Sequence, residues 1–288
     1  MAAIVLLMPA CDSERLNQFS TFAAAGSQYV LALHQLIAQA GSAMIAADSA
    51  TLVTARNLAG PGLSENAAGF RKSVAAEDRL LETYLGNLQR IDAHATLLGA
   101  YFDAVSKLTN GKEASSMATS TASLLDSVKA FAPTISDAKF AGKPVSDYVQ
   151  SGASVVVAHF EVKALNDELK NAPVIDQALA LQEAAIECIG EQMRTSLQAS
   201  LKVRESTDVI DPYIQAGPLP ANWNSTREAL LRTKVTVESA DSAQSAIKKL
   251  RAAFRDLAAN KATVSLADLE REVNKMAGYV SAVEASHK

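Results

Sequence analysis

Residues 16–47 read LNQFSTFAAAGSQYVLALHQLIAQAGSAMIAA. Apolar or small residues recur there in alternating steps of three and four: Leu16, Phe19, Ala23, Gly26, Val30, Leu33, Ile37, Ala40, Met44 and Ala47. Phe22, Tyr29, Leu36 and Ala43 form a second row beside the first. Such spacing lines one face of an α-helix and fits no strand, whose side chains alternate with a period of two. Two adjacent rows make a stripe wider than the seam of a two-stranded coiled coil, so the helix is expected to pack against several others. The fold class that follows is all-α.

The same pattern continues downstream. AGPGLS, Ala59 to Ser64, breaks the first helix. A second stripe then runs through Phe70, Val74, Glu77, Leu81, Tyr84, Leu88, Ile91, Ala95, Leu98, Phe102 and Val105, and fails near TNGK, Thr109 to Lys112. Two stretches of similar length joined by a short turn predict a long antiparallel N-terminal hairpin, each arm on the order of 60 Å. A Ser/Thr/Ala-rich stretch ending before Pro133 reads as a shorter helix. The residues 133–144 are the best internal loop and the one candidate subdivision. Further helices are expected with faces at Tyr148 to Leu169, Leu179 to Leu201, Leu230 to Leu257 and Leu266 to Val283. Pro173 suits a helix first turn. Asp211-Pro212 is read as the end of its helix, and the Pro-rich Asp211 to Ser225 as loop. Ser225 with Glu228, and Ser265 with Asp268, have capping-box spacing. The whole is an elongated bundle of about six to seven helices, with 11–288 as one domain.

Composition agrees. Only 13 Gly and 8 Pro occur among 288 residues, and aromatics are 5%, which favours helices over strands. With 27 basic and 31 acidic residues the net charge is −4. That gives no electrostatic footprint for nucleic acid. The two cysteines, Cys11 and Cys188, are too few for a thiolate zinc site.

The chain opens MAAIVLLMPACDSERL. An apolar run leads through Met8, Pro9 and Ala10 to Cys11, which resembles the signal peptide and lipobox of bacterial lipoproteins. The small residue before the cysteine fits that pattern. Met8 stands where Leu is usual, and Pro9 where a small residue is. No Lys or Arg precedes the run, and the run is shorter than the usual core of about 7–15 residues; a start assigned too late would account for both. The resemblance implies that 1–10 is a removed signal segment and that Cys11 carries a diacylglyceryl anchor. Asp12 then resembles the enterobacterial signal for retention in the inner membrane. No other segment reads as a membrane span. A lipidated Cys11 leaves no partner for a disulfide to Cys188, which is expected to be a packed free thiol between Ile186 and Ile189.

Candidate chemistry is sparse. His34, His94, His159 and His287 are scattered. His159 and Glu161 are two apart, which on a helix points them away from each other. The His-x-x-Glu motif of imelysin-like proteins is absent, so that resemblance is rejected. His94 and His159 are read as rim residues. Glu77 is the one charge in the second stripe, expected where the arm outruns its neighbours or pairs with a base. There is no Gly-x-Ser-x-Gly, P-loop, Gly-x-Gly-x-x-Gly, His-Glu-x-x-His or Cys-x-x-Cys. No enzyme, cofactor or metal is therefore expected. Tyr213 and Trp223 in the Pro-rich segment are the candidate partner-binding residues. Together these features predict a lipid-anchored envelope protein on the periplasmic side, acting as a helical scaffold or partner-binding module for a protein partner. The alternatives are a periplasmic ligand- or metal-binding protein and a cytosolic coiled-coil interaction protein.

Overall fold

A computed structural model describes residues 9–59, 67–109, 119–127, 139–140, 143–144, 172–259, 261 and 265–285. The helices are α1 (Pro9–Ala59), α2 (Ala67–Thr109), α3 (119–127), α4 (Ala172–Arg204), α5 (Asp211–Ile214), α6 (Trp223–Ala258) and α7 (Leu266–Ala285). A π-helical turn, Glu205–Ile210, joins α4 to α5. Two paired residues each, β1 (Lys139–Phe140) and β2 (Lys143–Pro144), form a small antiparallel ladder in register Lys139 to Pro144. The helix expected over Tyr148 to Leu169 lies outside the described residues, as does most of 133–144.

The fold is an all-α bundle built around α1, which packs against α2, α4, α6 and α7. Its stripe is buried from Phe19 to Ala47. Ala25 and Ala32 are buried as well and form a third row, as expected of a helix covered on most sides. This also corrects the search for membrane spans. By length and composition, Glu14–Arg56 contains a window apolar enough to cross a membrane, 44% of it buried inside the protein. Packing against four neighbours accounts for that apolarity.

α1 and α2 form the expected antiparallel hairpin, 51 and 43 residues long, or roughly 75 and 65 Å. The register is tied by Ser27 donating to Asp103 and by His34 against Asp92 at 2.5 Å. Further along, Gly41 faces Leu85 and Leu88. A second antiparallel pair, α4 and α6, is held by Arg251 to Asp176 and Glu183, Arg194 to Asp241, and Lys234 to Glu205. The two hairpins share a core whose centre is Phe22, edge-on to Phe102 at 5.6 Å and 5.8 Å from Phe254. Each such buried aromatic stabilises the fold by about 2–3 kcal/mol. Gly26 is required here: a Cβ would lie 2.6 Å from the Phe102 ring. On the remaining flank, Gln39 donates to the Val280 carbonyl of α7, and Ser245 of α6 donates to Glu272.

These contacts fix direction. Phe22, near the start of α1, meets Phe254, near the end of α6. Gln39 meets the end of α7. So α1 runs antiparallel to α6, and the end of α1 points the same way as the turn from α4 to α6. Beyond the level of Gln39 the arm of α1 and α2 is increasingly exposed, with Val53, Val74 and Leu80 open to solvent.

Two local expectations are corrected. The helix does not stop at Asp211-Pro212 but continues to Ile214. Pro212 has no N–H and would clash with the carbonyl four residues back in a regular α-helix. The π-helical turn before it widens the spiral, with the Asp211 N–H donating to the Ser206 carbonyl. Nor do Ser225 and Glu228 form a capping box. α6 already begins at Trp223, the Ser225 hydroxyl donates to the Asn222 carbonyl, and Glu228 pairs with Arg232. At Ser265 the expected boundary is met: α7 begins one residue later, and the Ser265 hydroxyl donates to Asp268.

Candidate functional site

Cys11 and Asp12 lie in the first turn of α1, which begins at Pro9; their side chains are outside the described residues. The helix passes from them into the core without a linker.

Tyr213 and Trp223 are brought together. Their rings stack at 5.8 Å and 23° across the turn from α5 to α6. The Trp223 indole N–H donates to the Val209 carbonyl at 2.9 Å, in the π-helical turn. Trp223 is thereby half-buried and fixed, while Tyr213 is 67% exposed. Ile210 and Ile214 flank Tyr213 at helical spacing, and Ile214 is 72% exposed. Sequence reading missed both isoleucines. Their signal was a three-four step, hidden because Pro212 was taken as the end of the helix. Asp211 and Asp208 border this face, the latter paired with Arg204. The arrangement is a rigid aromatic and aliphatic surface at the end of a hairpin, of the residue types that anchor interfaces.

His94 is not a rim residue. It is buried, because α3 covers it. Its Nε2 is 3.1 Å from the Ala178 carbonyl of α4, and its Nδ1 is 3.1 Å from the Ser127 hydroxyl of α3. A carbonyl only accepts, so Nε2 carries the proton. Burial pulls the imidazole pKa down to about 4, so at neutral pH Nδ1 is bare and accepts from Ser127. Both ring nitrogens are engaged, which makes His94 a cross-brace between three helices and not a free base or ligand. His159 and His287 lie outside the described residues. Cys188 is the packed thiol expected, its pKa pushed up to about 12 by burial and by Glu187 and Glu191.

Two grooves remain. One, of about 260 Å³, lies between α4 and α6 beside Gly190 and Ala240 and is bridged by the Arg194–Asp241 pair. The other, of about 280 Å³, lies between α1 and α2 and includes Glu77. Glu77 is half-buried there, on the projecting arm, with no basic residue in the groove lining. Among the described residues no cluster of three or more His, Cys, Asp or Glu side chains is placed to hold a metal ion. Compared with known proteins, the chain matches no family model, no curated protein and no solved structure.

Proposed function

We propose that this is a lipid-anchored bacterial envelope protein whose helical bundle holds a protein-recognition face away from the membrane. One observation carries the reading: Cys11 and the Tyr213–Trp223 face lie at opposite ends of the same bundle axis. From Cys11 to Phe22 the axis advances roughly 15 Å at about 1.5 Å per residue. From Phe254, beside Phe22, back along α6 to Trp223 is roughly 45 Å more. An acyl anchor on Cys11 would thus stand roughly 60 Å from the aromatic face. α1 spans this interval as one unbroken helix, so the spacing is rigid. Acyl chains at Cys11 contribute about 0.8 kcal/mol per buried methylene, enough for firm attachment when there are several. The side of the membrane follows from the lipobox resemblance, and the inner membrane from Asp12.

The test is expression of the full chain with its own leader in a bacterial host, followed by mass analysis of the mature N-terminus. The expected product starts at acylated Cys11 and sediments with inner membranes. A photo-crosslinking residue at Tyr213 is expected to trap a protein that one at exposed Leu80 does not. An unprocessed Met1, or unchanged localisation of Cys11→Ser, sinks the anchoring half. Equal trapping from both positions sinks the recognition half.

A further inference from the structure

We propose that the groove between α1 and α2 on the projecting arm binds a primary alkylammonium group. Its body end is formed by Met44 and Tyr84, its outer end by Thr51 and Glu77, with Asp48 and Leu81 between. At about 280 Å³ it is near the lower bound of small-molecule sites, which start at about 300 Å³.

Three features select the ligand. The first is charge. Asp48 and Glu77 both line the groove, and Asp78 stands close enough to repel Asp48. No lysine, arginine or histidine lines it, and none of the three carboxylates forms an ion pair among the described residues. Burial, and then Asp78, raise the Asp48 carboxyl above its ordinary range. A bound cation would reverse that penalty. The second is Tyr84, only 6% exposed, with a buried hydroxyl that has no partner among the described residues. Leaving such a group unpaired costs about 1–3 kcal/mol. Burial holds the phenol protonated, so its oxygen can accept from an ammonium N–H while its proton points to a carboxylate. The third is the wall. Met44, Ala47, Leu80 and Leu81 are apolar and fit an alkyl chain, not a hydrated ion. A metal cation would want three or more hard ligands, and no such group occurs among the described residues. The site is independent of whether Cys11 is acylated.

The experiment is calorimetric titration of the purified full chain with n-hexylamine hydrochloride, with 1-hexanol, hexanoate and calcium chloride as parallel arms. Saturable binding of hexylamine is expected, with Asp48→Asn and Glu77→Gln each weakening it about tenfold or more. Tyr84→Phe is expected to weaken it severalfold. Circular dichroism of each variant shows that the fold is kept, and these near-isosteric changes sit on an exposed arm. An Nα-acetyl-lysine methylamide arm separates sources: tighter binding of it names a peptide side chain, tighter binding of hexylamine a free amine, and either supports the site. The proposal is overturned if hexanol binds as well as hexylamine, if calcium displaces the amine, if hexylamine binding survives both carboxyl variants, or if nothing saturates below about 10 mM.

Discussion

Replacing Gly26 with alanine tests the packing of the whole bundle at one atom. The added Cβ would sit 2.6 Å from Cγ, Cδ1 and Cε1 of Phe102, where carbon atoms rest at about 3.5–4.0 Å. The ring, or α1 itself, must retreat by about 1 Å. Phe102 cannot turn away, because it is fully buried and wedged between Phe22 at 5.6 Å and Tyr101 at 5.8 Å. Overpacking of that kind costs about 3 kcal/mol. Alanine returns about 1 kcal/mol through its better helix propensity, so the net loss is about 2 kcal/mol. Gly86, in α2, is the internal control: nothing lies within 4 Å of its would-be Cβ. Gly86→Ala should therefore gain up to about 1 kcal/mol. Urea unfolding followed by circular dichroism reads both. With a slope of about 3 kcal/mol/M, Gly26→Ala moves the midpoint down by about 0.7 M. If Gly26→Ala proved as stable as Gly86→Ala, the close approach of α1 and α2 at Phe102 would be refuted.

Three other perturbations follow. His94 binds its proton far less readily folded than unfolded, where its pKa is about 6.5. The unfolded state takes up the proton first as pH falls, so stability declines from pH 6.5 towards the folded value of about 4, by up to about 3 kcal/mol. His94→Gln should flatten that part of the stability-pH profile, and an unchanged slope would remove the buried neutral imidazole. Asp176 receives both Arg251 and Arg255. Burial pushes its carboxyl up, but the Arg255 and Arg251 guanidinium groups outweigh it and leave it below the usual range. Asp176→Asn should cost about 2 kcal/mol at neutral pH. The difference from the parent should shrink as pH falls through the depressed carboxyl value, since both side chains are then neutral; a constant difference would point to shape instead of charge. Cys188, in a Cys11→Ser background, should resist iodoacetamide at pH 8 until denaturant is added, and labelling at the rate of a free thiol would show that α4 opens there.

Sequence and structure part company at identifiable places. The α1 stripe was legible because Phe, Leu, Ile and Val mark a face unambiguously, and every member from Phe19 to Ala47 in the first row is buried or, at Gly26, in contact. Leu16, 38% exposed, lies beyond the neighbours that would cover it. Ala25 and Ala32 were not legible, since alanine reads the same inside and outside a helix. His94 was misread because α3, a Ser/Thr-rich helix of weak propensity, supplies the cover. The functional surface was half visible. Tyr213 and Trp223 stood out by residue type, but their stacking joins two elements across a turn and leaves no local pattern. The groove at Glu77 showed only as a charge out of place, because Asp48 and Tyr84 reach it from opposite arms.

The π-helical turn before Pro212 also sets the azimuth of everything after it. Glu205–Ile210 carries its hydrogen bonds one residue further back than an α-helix does, which amounts to one added residue in the spiral. Removing one residue from that segment would rotate the following helix by about 100°. Ile210, Tyr213 and Ile214 would then look out over a different side of the bundle, and Tyr213 would no longer meet Trp223. A single-codon deletion there would re-aim the end of the molecule while leaving its length and core almost untouched.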